Sequence, residues 1–116
     1  LFLMNDELDA GDIIAQAPFS LEGHLDDILQ RIAKTGLKLT DDIIENGYTP
    51  RSQNHDRASV YSRRTPEESE ITFDELRTKP AEYLYNKIRM LEDPYPNAFI
   101  RCGDGRKLII KTAEIE

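Results

Sequence analysis

Four carboxylates fall within seven positions near the start of the chain, Asp6, Glu7, Asp9 and Asp12, in the stretch LFLMNDELDAGDIIAQ. A carboxylate so placed either serves the turn that leads into Gly11 or does acid–base work, and the loop alone leaves both readings of Asp9 open. Arg63 and Arg64 stand side by side in YSRRTPEESE. Two adjacent guanidiniums can grip a phosphate or a carboxylate bidentately; alternatively one of them pairs with Glu67, Glu68 or Glu70 and pins the segment. The two histidines, His24 and His55, share no ligand spacing with each other or with the single cysteine, Cys102. They read as surface residues, and no structural zinc site is expected. Cys102 reads as a small half-buried residue at a strand end, with nothing beside it to make it a nucleophile.

These residues need elements to carry them, and 116 residues suffice for one ordinary domain or half of a larger one. With 39% hydrophobic and 32% charged residues, the chain is neither a disordered polyelectrolyte nor a membrane protein. No apolar run approaches a membrane span, and no cationic stretch precedes the first apolar one. One cysteine cannot close an internal disulfide, which fits a reducing, cytoplasmic setting. Residues 1–47 hold ten acids against three bases, the whole of the −7 net charge, while residues 48–116 balance. Within the balanced part, Arg51, Arg57, Arg63 and Arg64 face only Asp56 across fourteen positions. That is too little positive charge for a broad nucleic-acid footprint, though enough for a small phosphorylated ligand.

Leu1–Met4 reads as the end of a buried strand, Asn5–Gly11 as a turn-rich loop and Asp12–Phe19 as a short second strand. From Glu22 to Asn46, Leu25, Ile28, Leu29, Ile32, Leu39, Ile43 and Ile44 recur at helical spacing, with Gly36 a point of interruption and Gly47 a stop. Residues 48–70 show no sustained period and read as a connecting segment with a brief extended piece at Ala58–Tyr61. A second helix is predicted over Lys79–Glu92, capped by Thr78, with Leu84, Ile88 and Leu91 inward. Ala98–Cys102 and Lys107–Ile115 read as strands joined by Gly103-Asp104-Gly105. Three regions result: 1–47, the connector 48–70, and a small α+β subdomain over 71–116. A strand leading in from nothing does not make a self-contained parallel sheet, so further strands are expected before Leu1.

LDAGDIIAQ resembles the loop that closes the active site of folate-dependent formyltransferases, a family that includes the methionyl-tRNA and sugar-nucleotide enzymes. ASVYSRRTPEESEI and YNKIRMLEDPYPNAFI, in the same order, resemble the tail that follows the catalytic domain in those two branches. The resemblance implies an α/β chain made of the last strands and helix of a Rossmann-like formyltransferase domain, then a linker, a helix and a small β-hairpin subdomain. Two departures are mild: Asn97 stands where relatives carry Gly, and Phe73 where they carry Trp. Arg89, late on the second helix, is expected at that helix's last carbonyls or at the DPYP loop.

By the same resemblance, Asp9 is the catalytic carboxylate of an enzyme that moves a formyl group from 10-formyltetrahydrofolate to a primary amine. That reaction needs a neutral amine, a stabilised oxyanion and a protonated leaving nitrogen. A carboxylate beside a His can orient the imidazole and help relay the proton. The family's Asn and His partners lie upstream and are absent from this sequence, so the 116-residue chain alone is expected to be inactive. The backbone of Met4, Asn5, Glu7, Leu8 and Asp9 would line the pterin pocket, while the side chains of Asp6, Glu7 and Asp12 read as solvated. Gln53, Arg63 and Arg64 are weaker candidates for substrate contacts. The RRTP segment and the acidic balance favour an amino-sugar nucleotide as acceptor over tRNA. A reading of another class is a non-catalytic module for partner binding or homodimerisation through the acidic helix and the hairpin edge.

Overall fold

The computed structural model describes residues 1–116. The chain forms two compact units, one made of Leu1–Glu22 and Asp27–Tyr61, the other of Gly23–Asp26 and Ser62–Glu116. The expected connector is thus divided, 48–61 going with the first unit and 62–70 with the second.

A 22-residue helix, α1 (Leu25–Asn46), is the long regular element of the first unit. It starts three residues later than its apolar period suggests, because Gly23 sits at φ 82° and cannot lie in a right-handed turn. Gly47, at φ 74°, closes it by donating its N–H to the Ile43 carbonyl at 2.9 Å. Gly36 does not interrupt it. The helix runs straight through, and the Thr40 hydroxyl donates back to the Gly36 carbonyl at 2.9 Å.

The two strands expected at the N-terminus appear only as isolated bridges. Phe2 faces Ile13 antiparallel, and Ile13 faces Arg51 antiparallel in turn. Ile13 and Arg51 exchange both backbone hydrogen bonds, at 2.8 and 2.9 Å, and the Leu3 N–H reaches the Asp12 carbonyl at 2.9 Å. Leu1 to Met4 are exposed rather than buried, which corrects the sequence reading. Four apolar residues become a buried strand only when neighbours and covering helices flank them, and here the segment has a single antiparallel partner. The Rossmann-like layer is therefore not seen, and the chain's regular sheet has two strands.

In the second unit a short helix that the apolar period missed, α2 (Phe73–Thr78), begins at a capping box. The Thr72 hydroxyl accepts the Glu75 N–H at 3.1 Å, and the Glu75 carboxylate accepts the Thr72 N–H at 2.9 Å. Thr78 ends α2 instead of capping the next helix, its hydroxyl donating to the Asp74 carbonyl at 2.7 Å. Lys79 is extended, as a residue before proline must be, so α3 (Ala81–Arg89) starts after Pro80 and not at Lys79.

Strands β1 (Ala98–Arg101) and β2 (Lys107–Ile110) pair antiparallel, with Ala98 opposite Ile110 and Arg101 opposite Lys107. Gly105 takes φ 82° in the connection 102–106, and the Cys102 N–H reaches the Arg106 carbonyl at 2.8 Å across its base. β2 stops at Ile110, five residues short of the expected end, because Pro96 has no N–H and Asn97 turns its side chain to the Leu91 carbonyl at 2.7 Å. Ile71, Ile88, Leu91 and Ala98 form the core, with Leu84, Ile100, Ile110 and Ala113 against it. The Ile71 N–H donates to the Phe99 carbonyl at 2.7 Å and ties the segment before α2 to β1. Cys102 is exposed, not half-buried, since it lies in the hairpin loop beyond β1.

Candidate functional site

The loop Met4–Gly11 lies wholly in the first unit and is shaped by three constraints. At its near end, the Asn5 side-chain oxygen accepts the Glu7 N–H at 3.1 Å, a local Asx turn. At its apex Asp9 is held at φ 55°, the only non-glycine residue of the chain at positive φ. Left-handed backbone costs an L-residue about 1–2 kcal/mol, least for Asp and Asn. At its far end Gly11 is buried, and a Cβ there would fall 1.6 Å from the Leu3 carbonyl oxygen. Close backbone approach, not a positive φ, is what requires glycine at this position.

Gln53 supplies the remaining tie. Its side-chain nitrogen donates to the Asp9 carbonyl at 2.8 Å and to the Gly11 carbonyl at 2.6 Å. These bonds link the loop to a residue more than forty positions later in the sequence. The segment that carries Gln53 is anchored through Arg51, whose backbone pairs with Ile13 and whose guanidinium donates to the Gln16 side chain at 3.2 Å. Of the sequence-predicted residues, the structure thus brings Gln53 to Asp9. The Asp9 carboxylate itself accepts no hydrogen bond and joins no ion pair within the chain, and its side chain is solvent-exposed. Met4 and Leu8 are each 93% exposed, and neither makes a hydrogen bond within the chain.

Arg63 and Arg64 belong to the second unit. Arg64 does not pair with the carboxylates of Glu67, Glu68 or Glu70; its guanidinium donates to the Glu68 backbone carbonyl at 2.8 Å. The Glu68 carboxylate is taken by the Thr65 N–H at 2.5 Å, and Glu70 lies 3.5 Å from Arg101. Arg63 is exposed and makes no such contact. The Arg89 guanidinium donates to the Asn86 side chain at 2.7 Å and to the Gly23 carbonyl at 2.6 Å.

Two clusters of the second unit were not singled out from the sequence. His24 Nδ1 lies 2.6 Å from Glu92, whose other oxygen accepts the Leu25 N–H at 3.1 Å and so places an anion at the start of α1. His24 is half exposed, as a surface histidine should be, and with Tyr85, Thr112 and Glu114 it lines an open cavity of about 680 Å³. The other cluster is an ion pair. Lys87 Nζ donates to both oxygens of Glu75, at 2.9 and 3.1 Å, and to the Glu70 carbonyl at 2.6 Å. The Thr-x-x-Glu spacing of Thr72 and Glu75 was a legible signal for half of it.

With its elements in this order, the chain matches the C-terminal part of formyltransferase structures. The chain superposes on a methionyl-tRNA formyltransferase from Clostridium thermocellum with a TM-score of 0.77 and 28% identity, over 94% of this chain and 52% of that one. An inferred sugar N-formyltransferase from Mycobacterium tuberculosis matches with a TM-score of 0.70 and 23% identity, over 97% of this chain and 51% of the other; at that identity the likeness is one of fold. The chain spans about half the length of each. No protein-family model matches it. The structural neighbours agree with the resemblance carried by the three sequence segments. No helix is long and apolar enough to cross a membrane.

Proposed function

We propose that the chain is the C-terminal part of an enzyme that transfers a formyl group from 10-formyltetrahydrofolate to a primary amine, with Asp9 as a catalytic carboxylate. The observation that carries this reading is a loop pinned through its backbone while the Asp9 carboxylate stays uncommitted within the chain. A carboxylate so held can orient an imidazole, hold positive charge on it and help take the proton that the amine must lose. The resemblance places the His and Asn partners upstream, in a Rossmann-like part of the parent enzyme. The folate supplies the formyl group. Met4, Asn5, Glu7, Leu8 and Asp9 fit its pterin end in kind: Met4 and Leu8 offer exposed apolar side chains and unpaired backbone groups, the donors and acceptors that a flat heteroaromatic edge requires.

Two acceptors fit the proposal, each with its own support. The acidic balance of the chain favours an amino-sugar nucleotide. The methionyl-tRNA enzyme, the better superposed of the two structures described, favours methionyl-tRNA. The test is formyl transfer by the product of the native gene, assayed with each acceptor in turn. Asp9→Asn should lower kcat about 10²- to 10⁴-fold, the range of a lost acid–base contribution. Unchanged turnover in that variant would remove Asp9 from the chemistry, and turnover by the isolated 116-residue chain would overturn the need for the upstream His and Asn.

A further inference from the structure

Gln53 is a ligand candidate on sequence, and its contacts give it different work. A side-chain amide nitrogen has two hydrogens. Both are directed to backbone carbonyls of one turn, those of Asp9 and Gly11, at 2.8 and 2.6 Å. The donor end of Gln53 is therefore spent within the chain. Chemistry fixes which way the amide faces, because the opposite assignment would set an oxygen against two carbonyl oxygens. The turn it holds cannot relax elsewhere: Asp9 is at φ 55°, and Gly11 is pressed against the Leu3 carbonyl. The residue that delivers Gln53, Arg51, is locked to Ile13 by a reciprocal pair of backbone bonds.

We propose that Gln53 is a positioning residue for formyl transfer: it sets the backbone of the Asp9 turn, and through it the place of the Asp9 carboxylate, without touching substrate. This rests on the catalytic reading of Asp9. Its distinguishing feature is a donor requirement at fixed reach. Glu at position 53 would direct an acceptor at two acceptors, Met would keep the length with no donor, and Asn would keep the amide but fall one methylene short of bridging both carbonyls.

The experiment uses the product of the native gene. Gln53→Met and Gln53→Glu should lower kcat about 10- to 100-fold, the scale of a misplacement near 1 Å, with the amine KM within about twofold of wild type. Gln53→Asn should fall between these and wild type. The loss should fall on kcat with KM held and be partly restored in Gln53→Asn, a pattern that loss of an unrelated structural contact would not give. A raised KM with unchanged kcat would make Gln53 a ligand and overturn the proposal; so would unchanged kinetics. Asp9→Asn, measured alongside, separates the two claims, since full activity there sinks the role of Asp9 whatever Gln53 does. Should the Gln53 variants not fold, the wild type decides by NMR. The Gln53 side-chain amide protons should exchange at least about tenfold more slowly than those of Gln16, whose amide nitrogen makes no hydrogen bond. Equal exchange would overturn the proposal.

Discussion

Replacing Glu75 by Gln changes one charge and almost no volume, and the second unit should register it strongly. All three Lys87 N–H donors are used, two on Glu75 and one on the Glu70 carbonyl, and the Lys87 side chain is only 11% exposed. Burial pushes the Glu75 carboxyl up, but the Thr72 N–H, the Lys87 ammonium and the Tyr83 hydroxyl together outweigh it and hold the carboxyl below its ordinary range. In Glu75→Gln the Lys87 ammonium loses its counter-charge, and the capping bond to the Thr72 N–H becomes neutral. A hydrogen bond to a charged group contributes about 1.5–3 kcal/mol; with the Glu75 side chain 18% exposed, the lower part of that range applies, and we expect a loss of about 1–2 kcal/mol near pH 7. Because the folded carboxyl titrates below its unfolded value, this contribution is complete above the unfolded value and disappears as pH falls through the folded one. The gap between wild type and variant should therefore close in acid. Urea titrations followed by the methyl signals of Ile71 and Ile88 read the second unit alone. A gap as wide at about pH 3 as at about pH 7, or one under about 0.5 kcal/mol at pH 7, would refute the reasoning.

Two glycines of the first unit should respond in opposite directions. Gly11→Ala drives a Cβ into the Leu3 carbonyl and should cost about 2 kcal/mol or more, seen as early loss of the Ile13 and Ile14 methyl signals in urea. Gly36→Ala meets nothing within 4 Å in a helix interior and should stabilise the unit by about 0.5–1 kcal/mol in the same titration.

Where the fold was legible, a long period made it so. The stripe from Leu25 to Ile44 announced α1, and Gly47 marked its end. At six residues α2 is too short for a period to show, and only the Thr72–Glu75 spacing could have revealed it. The N-terminal apolar run misled because burial belongs to the company a strand keeps and not to its residues. In the site, the glycine requirement at position 11 was legible as a turn, while the obstructing atom, the Leu3 carbonyl, was not. The service of Gln53 to Asp9 left no local trace, because a single side-chain-to-backbone bond across so many residues has no period and no composition.

The reach from Gln53 back to Asp9 also fixes an order of events. A growing polypeptide makes Asp9 first and cannot supply Gln53 until 43 more residues have followed, among them every residue of α1. Closing so long a loop is entropically costly until α1 and the Ile13–Arg51 pairing shorten the effective distance. The turn is thus expected to mature late, after its own neighbourhood has been synthesised and partly folded. A chain cut anywhere between these two positions would keep the carboxylate and lose the shape that presents it.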